Sequence, residues 1–184
     1  MVQNPKSAPL QDRIRGIKAI AFDIDGVLTD GSLIPLSDGD LLRVVDAKDA
    51  FAMRVASNKG LVTAIISGGD TKALRIRCQH SGVKDENIHL GVRGKIPVFA
   101  EFCRSHGITP AECAYFGDDI SDTQVMKACG VSFAPADAVP EAKAAADVVT
   151  TRPGGKGCVR EGIELILKSQ GLWVFDEEHY ELLW

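Results

Sequence analysis

The 184-residue chain has no excess of positive charge and no long apolar run. Its 21 Lys and Arg residues are outnumbered by 25 Asp and Glu residues, a balance that disfavours a nucleic-acid-binding protein. No apolar stretch approaches the roughly 20 residues that span a membrane, and residues 1–12 lack the apolar core of a secretory signal. We therefore expect no nucleic-acid partner, no membrane association and a cytoplasmic location.

Cysteine is present, but without the spacing of a metal site or a disulfide framework. The five cysteines are an odd number with no Cys-x-x-Cys pair, and the four histidines form no ligand pattern. The sequence therefore predicts buried, reduced thiols.

Three common catalytic and nucleotide-binding motifs are also missing. Gly94-Lys95 is followed by Ile96 rather than Ser or Thr, which excludes a Walker loop. The first apolar strand is followed by Asp-Ile-Asp-Gly rather than the glycine-rich dinucleotide motif. There is no serine nucleophile elbow either. The chemistry must come from another arrangement of residues.

Short apolar runs alternate with helical patterns along most of the chain. We predict strands at Ile17–Phe22, Leu61–Ile66, Ile88–Leu90, Cys113–Phe116, Val131–Ala134 and Asp147–Thr150, and helices at Ala47–Asn58, Thr71–His80, Ile96–Ser105, Asp122–Cys129, Ala138–Ala145 and Val159–Ser169. This alternation predicts an α/β protein with a Rossmann-like three-layer αβα architecture and a mainly parallel sheet. We assign residues 17–170 to one domain, residues 1–16 to a short mobile N-terminal tail and residues 171–184 to a C-terminal tail.

Residues 31–45 interrupt the alternation and predict a β-hairpin flap. Its strands are Ser32–Leu36 and Leu41–Val45, and an Asp-Gly pair lies in the turn between them. Apolar residues stand at adjacent positions in both strands, so both faces of the hairpin require burial. We expect the hairpin to pack against another subunit. The alternative is a flap folded down onto its own domain.

Four groups of polar residues follow predicted strands or begin predicted helices. They are Asp23 with Asp25, Ser67 before Gly68 and Gly69, Lys95 at a helix start, and Asp118, Asp119 and Asp122. Ligands of parallel sheets bind at the carboxyl ends of the strands, where these groups should meet. Two adjacent carboxylates at a buried strand end require a cation. A metal, a lysine and a hydroxyl at one sheet edge are the requirements of phosphoryl transfer.

The order Asp-x-Asp, Ser, Lys and Gly-Asp-Asp-x-x-Asp resembles the haloacid dehalogenase superfamily of phosphatases. The resemblance implies that Asp23 is the nucleophile and forms an aspartyl-phosphate, while Asp25 is the general acid and base. It also implies that Ser67 and Lys95 hold the phosphoryl oxygens. Mg²⁺ would be bound by Asp23, Asp118 and the backbone carbonyl of Asp25. Asp119 and Asp122 would not bind the ion but would hold these ligands and Lys95 in place.

Most of the chain, from Ile17 to Gly171, is similar to the family of 3-deoxy-D-manno-octulosonate 8-phosphate phosphatases. This likeness rests on Phe-Asp-Ile-Asp-Gly-Val-Leu-Thr-Asp-Gly, on Lys48-Asp49 and on Gly-Gly-Lys-Gly-Cys-Val-Arg-Glu. It implies a phosphoric monoester hydrolase of lipopolysaccharide precursor synthesis, without a separate cap domain. It also implies a homotetramer in which the hairpin and the C-terminal tail contact neighbouring active sites. The implied substrate-binding positions are Asp46, Lys48, Asp49, Arg54, Gly68, Gly69, Arg77 and Lys95.

The chain departs from this family at two positions. Gly69 stands where many members have arginine, and Ala50 stands where glycine is usual. A missing arginine leaves the carboxylate of a sugar acid without a partner, which Lys156, Arg160 or Arg75 could supply. A phosphatase for the nine-carbon homologue, 2-keto-3-deoxynononate 9-phosphate, is an alternative, although that branch has an acidic residue at the position of Gly69. A non-catalytic receiver-like or scaffolding module is a more distant alternative.

Overall fold

A computed structural model describes residues 5–37 and 39–179 of the chain. The strands are β1 Ala19–Phe22, β2 Ile34–Pro35, β3 Leu41–Leu42, β4 Val62–Ile66, β5 Ile88–His89, β6 Cys113–Phe116, β7 Val131–Ala134 and β8 Val148–Val149. Strands β2 and β3 form a separate hairpin. The other six form a parallel sheet in the order β5-β4-β1-β6-β7-β8. Because β1 lies between β4 and β6, its carboxyl end is at the centre of the sheet edge.

Helices cover both faces of this sheet. They are α1 Leu10–Arg15, α2 Ala47–Asn58, α3 Lys72–His80, α4 Lys95–Ser105, α5 Thr123–Ala128, α6 Pro140–Ala145 and α7 Cys158–Ser169. Alternate side chains of β1 enter opposite cores: Ile20 and Phe22 pack with α1, α2, α3 and α7, whereas Ala19 and Ala21 pack with α4, α5 and α6. The predicted three-layer αβα architecture is therefore confirmed.

The strands are as apolar as a sheet covered on both faces requires. Every residue of β1, β6 and β7 is buried. The rings of Phe22, Phe116 and Phe133 stack across these three strands, with centroid separations of 5.2 Å and 4.5 Å. The five cysteines are all buried and none forms a disulfide, as predicted.

The N-terminal segment contains a helix that the sequence did not predict. Ile14 of α1 is buried in the core, and Arg13 and Lys6 both pair with Asp147, at 2.9 Å and 2.7 Å. Arg13 also donates to the carbonyl oxygen of Gly130. The expectation of a mobile tail is therefore wrong for this part of residues 1–16. The helix has six residues and no side-chain cap, so its stability comes from these tertiary contacts.

The predicted hairpin is present, but its paired part is shorter than expected. Only Ile34–Pro35 and Leu41–Leu42 pair, in an antiparallel register, and Asp38 of the predicted turn lies outside the described residues. Ile34 and Val44 are 54% and 62% exposed. Leu41 and Val45 are half-buried, and Val45 lines a cavity beside core residues of its own domain. The packing of the exposed apolar residues against another subunit stays a prediction.

The first residues of the C-terminal tail pack against their own domain. Trp173 and Phe175 contact the core beside α2 and α7, with the two rings edge to face at 5.0 Å. Tyr180 and Trp184, the other predicted tail aromatics, lie outside the described residues. Within the described ranges, no helix is long and apolar enough to cross a membrane.

Candidate active site

The site begins where β1 ends. The backbone N–H of Asp23 donates to the carbonyl oxygen of Phe116 at 3.0 Å, so the sheet pairing continues one residue beyond the strand. The N–H of Ile24 then donates to Asp23 Oδ1 at 2.7 Å, which fixes the orientation of the carboxylate. Asp23 is only 7% exposed, whereas Asp25 is half-buried and closer to solvent.

Lys95 forms ion pairs with two of the predicted acids. It is the first residue of α4, and its Nζ lies 2.6 Å from Asp23 Oδ2 and 2.7 Å from Asp122 Oδ1. Its side chain is 6% exposed, and a charge so deeply buried requires such partners. Burial alone would lower the pKa of Lys95, but the charges of Asp23 and Asp122 outweigh burial and raise it. Lys95 is therefore held charged at the nucleophile predicted from the sequence.

Asp122 is a structural carboxylate whose two oxygens are both fully used. Oδ1 accepts from Lys95 and from the Tyr115 hydroxyl at 2.6 Å. Oδ2 accepts from the backbone N–H groups of Asp118 and Asp119, at 3.1 Å and 3.2 Å. Asp122 therefore positions Lys95 and the loop after β6. Asp119 caps the 3-10 turn Ile120–Asp122 and is exposed, and the hydrogen bonds and ion pairs of Lys95 within the described residues go to Asp23 and Asp122 instead.

The acids at this edge outnumber the cations near them. One oxygen each from Asp23, Asp118 and Asp122 lies within 4.8 Å of the others. Burial, followed by the charge of Asp122, raises the pKa of Asp23 to about 6, although Lys95 opposes this shift. Burial, followed by the charges of Asp23 and Asp122, raises the pKa of Asp118 to about 7. Three carboxylates against one ammonium leave two negative charges, which one divalent cation would balance.

The donor set fits a small divalent ion. The Asp118 carboxylate has no hydrogen bond among the described residues, and Asp23 keeps lone pairs beyond its bonds to Ile24 and Lys95. Oxygen ligands of this kind are those that Mg²⁺ prefers. Asp23 and Asp118, with the backbone carbonyl of Asp25, could therefore hold the ion, while Asp122 has no oxygen left for it.

Two glycines allow these loops to approach each other. A side chain at Gly26 would overlap the carboxylate of Asp118, and Gly26 has φ +82°, a left-handed value that glycine adopts without strain. A side chain at Gly117 would overlap Asp122. Gly26 thus allows the loop after β1 to approach Asp118, and Gly117 allows Asp122 to fold back over its own loop.

The end of β4 completes the cleft. Ser67 is 1% exposed, its N–H donates to the carbonyl oxygen of His89, and its Oγ accepts from the N–H of Gly69 at 3.3 Å. An open cleft of about 450 Å³ is lined by all four predicted groups, namely Asp23, Asp25, Ser67, Gly68, Gly69, Lys95, Asp118 and Asp119. The carboxyl ends of β1, β4 and β6 thus bring these side chains together, because their strands are parallel neighbours.

The other predicted substrate-binding residues lie around α2, outside this cleft. Asp46 caps α2 by accepting from the backbone N–H groups of Lys48 and Asp49, and Arg54 donates to the carbonyl oxygen of His80. Asp46 and Arg77 line a small apolar cavity, and Nε of Arg77 has no partner among the described residues. Lys48 lines a separate cleft near the start of α7. Their roles in substrate binding stay predictions.

Asp49 has a structural position that the sequence did not indicate. It is 1% exposed, and its carboxylate accepts from the backbone N–H groups of Gly157 at 3.1 Å and Arg160 at 2.7 Å. It therefore caps the start of α7 from another helix. Burial raises its pKa to about 6, against these hydrogen bonds.

Two further residues at the site were missed by the sequence interpretation. Tyr115 is fully buried within β6 and donates to Asp122, and the only signal was a hydroxyl in an otherwise apolar strand. Arg43 forms a two-bond ion pair with Asp25, with Nε 2.7 Å from Oδ1 and Nη2 3.0 Å from Oδ2. A single charged residue within the apolar run Leu41–Val45 could have identified it.

Comparison with known proteins defines the class. Residues 94–159, which include Lys95, Asp118 and Asp122, match the family of haloacid dehalogenase-like hydrolases. The α/β fold described above is also that of this class. A receiver-like module, the distant alternative, gains no support from this match.

The particular family follows from relatives that match along most of the chain. The 3-deoxy-D-manno-octulosonate 8-phosphate phosphatase of Escherichia coli is 35% identical over 167 residues, 91% of this chain and 88% of the relative. A cobalt-bound phosphatase of the same name from Haemophilus influenzae has a TM-score of 0.85 and 35% identity, covering 92% of this chain and 99% of that one. The Moraxella catarrhalis phosphatase, solved with magnesium, phosphate and the eight-carbon sugar acid, has a TM-score of 0.84 and 30% identity, covering 88% of this chain and 92% of that one. The chain therefore belongs to the 3-deoxy-D-manno-octulosonate 8-phosphate phosphatase family, which consists of phosphoric monoester hydrolases.

Proposed function

We propose that the protein hydrolyses 3-deoxy-D-manno-octulosonate 8-phosphate to the free sugar acid and phosphate, with Mg²⁺ as cofactor. The observation that carries this proposal is the ion pair of Lys95 with Asp23 beside the open carboxylate of Asp118. This arrangement supports Asp23 as a nucleophile with a cation beside it. It also leaves two negative charges, which Mg²⁺ would balance. The names of the relatives support the choice of substrate.

In the proposed reaction, Asp23 attacks phosphorus and the bond from phosphorus to the sugar oxygen breaks. Asp25 gives a proton to the leaving sugar oxygen, and an aspartyl-phosphate remains on Asp23. Asp25 then takes a proton from water, whose oxygen attacks the same phosphorus and releases phosphate and the Asp23 carboxylate. The pairing of Asp23 with Ile24 and Lys95 supports this role, because it holds the nucleophile in one orientation.

Ser67 and Lys95 bind the phosphoryl oxygens in this proposal. The Ser67 hydroxyl accepts a hydrogen bond from Gly69, so its own proton is available for a phosphoryl oxygen. Bound Mg²⁺, held by Asp23, Asp118 and the Asp25 carbonyl, would neutralise charge that spreads over the phosphoryl group. Asp122 keeps Lys95 in place but is not consumed or released in either step.

We further propose the predicted homotetramer, in which the hairpin and the C-terminal tail contact neighbouring active sites. Five apolar residues of the hairpin region that are 42–62% exposed support it: Leu33, Ile34, Leu36, Leu42 and Val44. Sedimentation equilibrium tests the assembly, and a fully active monomer would contradict it. The predicted cytoplasmic location and the role in lipopolysaccharide precursor synthesis belong to the same proposal.

The test is a phosphate-release assay with Mg²⁺ over a set of phosphorylated sugar acids and neutral phosphorylated sugars. We expect the highest kcat/KM with the eight-carbon substrate. Faster turnover of 2-keto-3-deoxynononate 9-phosphate would favour the nine-carbon alternative. Asp23→Asn removes the nucleophile with little change in shape, so it should abolish turnover with an unchanged circular dichroism spectrum. Phosphate release by a pure Asp23→Asn preparation would reject the covalent mechanism.

A further inference from the structure

We propose that Arg43 binds the carboxylate of the substrate, and that Gly69 has no side chain because the Arg43 guanidinium occupies the space beside it. This inference rests on the proposed function, since it concerns how that site recognises a sugar acid. It assigns the recognition to a residue of the hairpin flap rather than to the end of β4.

The position of Arg43 differs from that of its neighbours in the chain. Leu42 and Val44 are 45% and 62% exposed, but the Arg43 side chain is only 6% exposed. It turns away from the hairpin surface and reaches Asp25 at the edge of the active-site cleft. A guanidinium so well buried at a cleft is placed for an anion rather than for solvent.

The guanidinium of Arg43 has donors to spare for a second carboxylate. Its Nε and Nη2 donate to Asp25, and its Nη1 donates to the carbonyl oxygen of Leu41 at 3.2 Å. These bonds use three of its five N–H groups, and two remain. One unused N–H group on Nη1 and one on Nη2 are therefore the donors that we assign to the substrate carboxylate.

The backbone at Gly69 does not require glycine. Its φ is not among the positive values of this chain, so another residue could adopt the same conformation. The space beside it is the constraint: a Cβ there would lie 3.1 Å from Arg43 Nη2, 3.2 Å from Leu74 Cδ1 and 3.5 Å from Asp25 Oδ2. A Cβ at position 69 would therefore require Arg43 or Leu74 to move by about a few tenths of an ångström, and a longer side chain there would displace the guanidinium further.

The cations that the sequence suggested as partners of the substrate carboxylate are paired with, or lie near, other carboxylates. Arg75 pairs with Asp85 at 2.7 Å, and Arg160 pairs with Glu164 at 2.7 Å. Lys156 lies 3.8 Å from Asp30. Of the cations that do line the cleft, Lys95 is held by Asp23 and Asp122, and Arg93 is exposed. Arg43 meets the cleft at Asp25, its side chain is buried, and its guanidinium keeps two donors for a substrate.

The experiment compares two substrates, 3-deoxy-D-manno-octulosonate 8-phosphate and arabinose 5-phosphate, which has no carboxylate. Arg43→Met should lower kcat/KM for the sugar acid by on the order of 10- to 100-fold, mainly through KM, because a charge-assisted bidentate pair is lost. The value for arabinose 5-phosphate should fall by a smaller factor and through kcat, because Arg43 also orients Asp25, the proposed general acid and base. Arg43→Lys should restore only part of the loss, since an ammonium lacks the planar fork.

Two further variants separate recognition from other roles of Arg43. Gly69→Ala should give a smaller selective loss without removing the arginine, because its methyl group crowds the guanidinium only slightly. Lys156→Met is the matched control with no selective loss. Equal losses of kcat on both substrates would show that Arg43 only positions Asp25, and would overturn the inference. A selective loss in Arg93→Met instead of Arg43→Met would also overturn it.

A binding measurement keeps this inference separate from the proposed function. Calorimetry with the free eight-carbon sugar acid and inorganic phosphate reports recognition without turnover. Binding by the wild type that is lost in Arg43→Met supports the inference even if no phosphate is released from the phosphorylated acid. Equal binding by the wild type and Arg43→Met overturns the inference while leaving the phosphatase activity intact.

Discussion

Replacing Lys95 with methionine should destabilise the protein in the absence of metal far more than an ordinary surface change. The substitution keeps most of the side-chain volume but removes the ammonium that pairs with Asp23 and Asp122, at 2.6 Å and 2.7 Å. Both acids are almost fully buried, so their charges lose their main partner inside the protein. Breaking a buried pair in this way costs about 3–5 kcal/mol.

The loss can be read from thermal unfolding. For a chain of this size, about 1 kcal/mol corresponds to roughly 2–4 °C in Tm, so the variant should melt roughly 6–20 °C below the wild type without Mg²⁺. Phosphate release should fall by at least about 10²-fold, because a preorganised cation at the phosphoryl group is lost. Part of the stability should return as the pH is lowered, because protonation removes the charge of the acids.

A matched control is available on the surface. Lys156 is 57% exposed and lies 3.8 Å from Asp30, so Lys156→Met should change the stability by no more than about 0.5 kcal/mol. If Lys95→Met and Lys156→Met melted at the same temperature without Mg²⁺, the ion pairs of Lys95 would not contribute as argued. The assignment of Asp23 and Asp122 as buried charges would then be wrong.

Three other predictions follow from the same site. The pKa values of Asp23 and Asp118 are raised from 3.8 to about 6 and about 7, so the folded protein binds protons more tightly than the unfolded chain, and the metal-free protein should lose stability as pH rises through this range. Denaturant titrations from pH 4 to 8 should show that decline, and Mg²⁺ should oppose it. A metal-free stability that rises with pH would contradict this prediction. Gly26→Ala should weaken Mg²⁺ binding at least about 10-fold in calorimetry, because the new methyl overlaps Asp118 at a left-handed position; unchanged affinity would refute the close approach. Tyr115→Phe should lower the free energy of unfolding by about 1.5–3 kcal/mol, since a fully buried hydrogen bond to a charged group is lost, and a neutral effect would show that Asp122 does not need the hydroxyl.

The sequence was sufficient for the parts of the site that depend on strand ends. Asp23, Ser67 and Asp118 each follow an apolar run, and the parallel order of β1, β4 and β6 brings their ends together without further information. The predicted bounds of α2, β6 and β7 are those of the structure. Hydrophobic periodicity and burial on both faces determine these elements locally, so no distant partner is needed to recognise them.

The tertiary structure alone decided which distant groups meet. The helix α1 was missed because its stability comes from Asp147 and the core rather than from its own six residues. The bonds of Asp49 to the start of α7 could not be predicted, because their donors lie more than 100 positions away in the chain. Such pairings depend on how layers pack, and periodicity along the chain does not record that.

The sequence by itself determined the sheet, its two covered faces and the row of acids with one lysine at its edge, because these follow from the order of apolar runs and the polar residues that end them. Only the tertiary structure decided that Arg43 folds inward from an exposed hairpin to Asp25 and that Gly69 leaves room for it. The physical reason is that a long, flexible side chain can reach several partners, and its choice is fixed by space and charge in the assembled site.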